Sequence, residues 1–145
     1  MQTKNKKKEL IFFFLSFFIF NLNLNAEEFN ITANEILIDK ENEIIVGKGS
    51  VQAVDSEGNL INANKITYEK SREFLLAEGE VKIADIEGNI LKADKATYDK
   101  INELIITYNK TELILKEGYK LLTKNISYNT EKKILTSDYR SIFTD

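Results

Sequence analysis

The chain has 145 residues and a mass of 16.7 kDa, enough for one domain with its own core and too little for two. Its 43% hydrophobic and 30% charged residues are typical of a folding chain, not of a disordered one. It contains no Pro, Cys, His or Trp, which excludes disulfides, thiolate nucleophiles, Cys/His zinc sites and imidazole acid-base chemistry.

The first element is a leader. A basic start, "KNKKK", precedes the apolar run "LIFFFLSFFIF" from Leu10 to Phe20, and "NLNLNA" ends at Ala26. This is the pattern of a signal peptide over residues 1–26, with an apolar run shorter than the roughly 20 residues a membrane-crossing helix needs. Leu24 is bulkier than the residue usually found three positions before a cleavage site, so an uncleaved anchor is the alternative. The leader takes Lys4, Lys6, Lys7, Lys8 and Glu9 with it. The chain's 20 bases and 23 acids then become 16 and 22, and the net charge moves from −3 to −6. Such an acidic domain disfavours nucleic acid as a partner, because phosphate binding needs clustered Lys and Arg.

From residue 27 onward the chain repeats every thirty residues without insertions. The first row reads "ANEILIDKENEIIVGKGSVQAVD" (33–55), the second "ANKITYEKSREFLLAEGEVKIAD" (63–85), the third begins "ADKATYDK" at 93 and the fourth "TKNISYNT" at 123. Ala33, Ala63, Ala93 and Thr123 share one column, and Ile36, Ile66, Ala96 and Ile126 another. Ile38, Tyr68, Tyr98 and Tyr128 form a third, and Gly49 and Gly79 a fourth. A gapless period marks a stack in which each unit buries its apolar face against its neighbours.

Each row predicts two strands. Apolar and polar residues alternate in "KITYEK", and turn signals ("DKEN", "EKSR", "DKIN", "NTEK", then "SEGN", "IEGN", "KEGY") separate the strands. Between Ala63 and Ile66 the buried parity shifts, which requires a bulge or corner, aligned with the same shift between Ala93 and Ala96. Gly49 and Gly79, inside the second strand of their rows, are read as a second bend. The fold class is therefore all-β. The residues expected to face inward are Ile36, Ile38, Val51, Ala53, Ile66, Tyr68, Phe74, Leu76, Val81, Ile83, Ala96, Tyr98, Leu104, Ile106, Ile126 and Tyr128, an ordinary core on pattern alone.

The recurring Ala-x-x-Ile-x-Tyr followed by Ala-Glu-Gly-x-Val, clearest at 63–85 and 87–100, resembles the organic-solvent-tolerance (OstA-like) family. This is the domain shared by the bacterial lipopolysaccharide-transport proteins LptA, LptC and the N-terminal part of LptD. The resemblance implies a half-open β-jellyroll, a twisted V of antiparallel sheets over residues 27–145. It implies a periplasmic, non-enzymatic bridge component nearest to LptA, stacked end to end with itself or with related domains. The N-terminal domain of LptD and an LptC-like anchored component are alternatives within the family. The family's interior holds acyl chains, so Ile36, Ile38, Val51, Ala53, Ile66, Tyr68, Phe74, Leu76, Val81, Ile83, Tyr98, Leu104 and Ile106 become the expected lipid groove. "ITYNKTELILKEG" lacks the Ala-Glu-Gly element and the fourth row breaks off at "SIFTD", so a domain cut short at its C-terminal end is an alternative.

A stack without caps leaves unpaired backbone groups on its outermost strands. The expected assembly edges contain Phe29, Ile31 and Ile36 at one end and Ile134 and Phe143 at the other. The reading from another class is a secreted structural β-solenoid with a filled interior. Lys65, Lys82, Lys92 and Lys95 are interleaved with acids and read as a solvated face. Asp39, Asp55, Asp85, Asp94 and Asp99 lack calcium-loop spacing, so neither a metal nor any other cofactor is expected.

Overall fold

Twelve backbone positions with positive φ among the described residues recur with the sequence period. The computed structural model describes residues 29–145; the leader assigned to 1–26 lies outside them. Eleven strands form one antiparallel sheet: β1 (Phe29–Thr32), β2 (Glu35–Asp39), β3 (Ile44–Asp55), β4 (Leu60–Glu69), β5 (Phe74–Ala84), β6 (Ile90–Asp99), β7 (Leu104–Ile114), β8 (Lys120–Thr123), β9 (Ser127–Asn129), β10 (Ile134–Thr136) and β11 (Ile142–Thr144). A short 3-10 turn, Lys70–Arg72, links β4 to β5.

The five long strands run through a corner that divides the sheet into two limbs. In the first limb the order is β2-β3-β4-β5-β6-β7-β9-β10; in the second it is β1-β3-β4-β5-β6-β7-β8-β11. At the corner, register shifts fall between Lys48 and Val51, Asn62 and Lys65, Glu78 and Val81, and Ala93 and Lys95. On β3 and β5 the two extra residues are Gly49-Ser50 (φ +73° and +48°) and Gly79-Glu80 (+78° and +50°). A Cβ on Gly79 would lie 2.8 Å from Asn64 Nδ2, so glycine is needed there both for its conformation and for the close approach of Asn64. On β7 the same position is Asn109 (φ +67°), a residue that tolerates the left-handed region and whose N–H donates to Asn125 Oδ1 at 2.8 Å.

The parity shift in β4 and β6 and the glycines of β3 and β5 are thus one corner seen from paired strands. The second bend expected at Gly49 and Gly79 does not exist, because the bulge absorbs two residues on one strand opposite one on its partner.

The other positions with positive φ are also thirty apart: Glu43, Glu73, Glu103 and Lys133 at the tight first-limb hairpins, and Gly58, Gly88 and Gly118 at the second-limb turns. In two of these hairpins an aspartate holds the turn. Asp39 accepts from the backbone N–H of Glu41 and Asn42 and from Asn42 Nδ2, and Asp99 accepts from Asn102 in the same way. Asn42 and Asn102 hold the respective carboxyls below their usual pKa. At the second-limb turns Asp55 and Asp85 do the same work for Glu57-Asn59 and Glu87-Asn89. The aspartates that lack calcium-loop spacing therefore act as turn anchors, except Asp94, which sits at the corner. Among the described residues no His, Cys, Asp or Glu cluster could hold a metal ion.

Candidate functional site

The concave side of the bent sheet is the candidate site, and register identifies its lining, since directly paired residues share a face. In the first limb one inward row runs Ile38, Ile45, Tyr68, Leu75, Tyr98, Ile105, Tyr128 and Leu135. A second runs Ile36, Gly47, Ile66, Ala77, Ala96 and Thr107. In the second limb the facing row is Ile31, Ala53, Ile61, Ile83, Leu91, Leu113, Leu121 and Phe143. Val51 and Ala63 pair beside the corner, as do Val81 and Ala93. Small residues concentrate there, where the limbs converge.

Of the residues expected inward, Val51, Ala53, Ile66, Tyr68, Val81, Ala96, Tyr98 and Ile126 are buried, and Ile83 and Tyr128 pack against them half-buried. Ile36 and Ile38 share the inward face, but β2 is an edge strand and they are 42% and 63% exposed. Phe74, Leu76, Leu104 and Ile106 do not face inward. Leu75 and Ile105 take the places between the tyrosines, while Phe74 pairs with Glu69 and Asp99, and Leu76 with Thr67 and Thr97 on the outer face. The cause is the runs "FLLA" and "LIIT", which are apolar on both parities, so the hairpin register alone sets their phase. Phe74 instead lies under the Arg72 guanidinium, 5.2 Å from the ring centre.

Three of the four rim lysines are committed elsewhere. Lys65 pairs with Glu78 at 3.5 Å and Lys92 with Glu112 at 3.3 Å, while Lys95 sits 5.5 Å from the Tyr108 ring and Lys82 is exposed on the outer face.

The two ends of the concave side differ. At the β1 end, Phe29 crosses from the second limb to the first, its ring 5.0 Å from Tyr68 and 6.2 Å from Tyr98 in edge-to-face contacts, and is only 4% exposed. Burial pushes the Tyr98 hydroxyl well above its usual pKa, and the Glu103 carboxylate adds to the shift. The Thr130 hydroxyl donates to Glu103 Oε2. At the far end Leu113, Leu121, Tyr128 and Leu135 are half-buried and Phe143 is 62% exposed.

The interior also changes chemistry along the stack. Thr107, Thr111 and Thr123 are buried where earlier rows carry Ala77, Val81 and Ala93. The crossing strand splits here into β8 and β9, and threonine hydroxyls satisfy the freed backbone. Thr107 Oγ1 accepts from Ile126 N–H at 2.9 Å, and Thr111 Oγ1 donates to Lys124 C=O at 3.0 Å. The two hydroxyls meet at 2.9 Å. Thr107→Val leaves the Ile126 N–H without its acceptor and is expected to cost about 1–3 kcal/mol of stability, read by urea denaturation. Sequence reasoning missed this cluster; its signal was three threonines replacing apolar residues at fixed offset.

In the class defined by this geometry, an open antiparallel sheet is bent along an aligned corner with an apolar concave side: the half-open, LptA-like β-jellyroll. Among solved structures 17 chains match. One is LptH, the LptA-homologous periplasmic component of the lipopolysaccharide transport device of Pseudomonas aeruginosa. It is similar with a TM-score of 0.68 and 14% identity, over 81% of this chain and 94% of that one. No family model matches the chain, and no curated protein matches it in sequence.

Proposed function

We propose that this chain is a periplasmic, non-enzymatic carrier that holds the acyl chains of lipopolysaccharide between its limbs, as one element of a bridge to the outer membrane. The observation that carries this reading is the shared open jellyroll, which spans 94% of LptH. Physics supports it: each buried methylene is worth ~0.8 kcal/mol, so a lipid with several long chains crosses water only along a continuous apolar track. The rows from Ile31 to Phe143 and from Ile38 to Leu135 supply such a track from end to end.

The bridge part of the proposal rests on the edges. Among the described residues nothing pairs with the outer sides of β1 and β2 at one end or of β10 and β11 at the other. Phe29, Ile31 and Ile36 lie on the first pair of edges and Ile134 and Phe143 on the second. Each limb has eight strands in strict antiparallel alternation, so a second copy in the same orientation continues the alternation in both limbs at once. Related β-jellyroll domains fit by the same rule. Within the lipopolysaccharide-transport group we place the chain nearest the LptA role, ahead of an LptD N-terminal domain or an LptC-like anchored component.

Close packing around Val51, Ile66 and Ala77, none more than 1% exposed, favours a second reading, a filled structural β-stack that carries no lipid. The test is purification from a lipopolysaccharide-producing host followed by mass spectrometry of extracted lipid. Co-purifying lipopolysaccharide is the expected result. Protein free of lipid that also takes none up from added lipopolysaccharide leaves only the filled stack.

A further inference from the structure

Inward side chains are exposed at both ends of the concave side, and one deeply buried aromatic ring lies between them. Near β10 and β11 the inward side chains Leu113, Leu121 and Leu135 are half-buried. Toward the β1 end a single ring bridges the concave side: Phe29 is wedged between Tyr68 and Tyr98, three residues that otherwise belong to opposite limbs, while Ile36 and Ile38 on β2 stay exposed. Among the described residues no other strand buttresses it from outside, because β1 is four residues long and pairs only with β3. Its remaining side chains are weak anchors, since Asn30 and Thr32 are exposed and Ile31 is half-buried. Short edge elements with one deeply buried side chain belong to the low-stability end of a fold and open before the rest.

We propose that Phe29 is a displaceable gate: an acyl chain passes along the full concave side only by taking the place of the Phe29 ring between Tyr68 and Tyr98. This inference rests on the lipid-carrying reading. Its consequence is a coupling between cargo and edge. Expelling the ring removes the deepest anchor of β1, so occupancy of the cleft and the order of that edge strand are coupled. Ring docking and chain binding compete for one volume, and by linkage each weakens the other.

The chain has no cysteine, so a thiol pair placed on the outer face is unambiguous. Asn30 and Val54 are directly opposite each other in the register of β1 and β3, and both are exposed. Oxidised Asn30→Cys/Val54→Cys protein holds β1 in place, and reduction frees it. The probe is palmitic acid carrying a fluorescent reporter, titrated by fluorescence anisotropy. The oxidised form is expected to bind about tenfold more weakly than the reduced form, the scale on which a docked competing state lowers apparent affinity. Adding Phe29→Ala to the oxidised protein is expected to restore binding, because the ring and not the strand is the plug.

A second readout needs no variant at the gate. Beyond the leader the only phenylalanines are Phe29, Phe74 and Phe143, so fluorophenylalanine labelling gives a separate fluorine resonance for each. Saturating probe should move the Phe29 resonance and leave that of Phe74, on the outer face, in place. Equal binding by oxidised and reduced protein, or an unmoved Phe29 resonance at saturation, overturns the gate while leaving the carrier reading intact. If neither the unmodified protein nor any variant takes up the probe, the carrier reading fails and the gate falls with it.

Discussion

Leu75→Ala is expected to cost about 3 kcal/mol of folding stability, whereas Leu76→Ala, one residue along the same strand, costs under about 1 kcal/mol. Leu75 is 1% exposed and lies between Tyr68 and Tyr98 in the inward row, so truncation leaves a cavity that neighbouring strands cannot close. Leu76 lies on the outer face between Thr67 and Thr97, half-buried, and water fills the space it vacates. Urea denaturation of both variants, with m-values compared to the parent, measures the difference. Equal losses would mean that the phase of β5 is not the one described.

Ile38→Lys is expected to abolish end-to-end association while leaving the fold intact. Ile38 is 63% exposed in the isolated chain, so lysine costs the monomer little. In a joint, however, its inward row would be continued by Leu135 of the next copy, and a charge aimed into that row is a device by which edge strands block pairing. Sedimentation across a wide concentration range should show growing assemblies for the unmodified protein and a monomer for the variant. A parent that stays monomeric throughout, or a variant that assembles equally well, contradicts the joint and favours a self-contained carrier.

Much of this architecture is legible in the chain, for reasons that particular residues make clear. The thirty-residue columns give the stack, and the shift from Ala63 to Ile66 gives the corner, because a bulge must change side-chain parity on one of two paired strands. The phase of β5 and β7 is not legible, since Phe74, Leu75 and Leu76 are all apolar and only pairing with the alternating strands β4 and β6 decides which points inward. Asn109 stands in for glycine at the third corner by its own tolerance of positive φ, so a column of glycines understates the regularity of the bend. Phe29 is hidden for a different reason. It occupies the column that holds Asn59 and Asn89, turn residues in the later rows, and a lone aromatic there has meaning only once the limbs bring Tyr68 and Tyr98 against it.

The same adjacency offers the most direct measurement of whether lipid travels between the limbs. A photo-crosslinking amino acid is placed at Leu75 in one protein and at Leu76 in another, each expressed in a lipopolysaccharide-producing host, irradiated in the cell and probed for lipopolysaccharide adducts. Two neighbours on one strand share expression, location and distance from either membrane, and differ only in the face they present. The account predicts adducts at Leu75 and none at Leu76; adducts at Leu76 alone, equal labelling of both, or labelling of neither would contradict it.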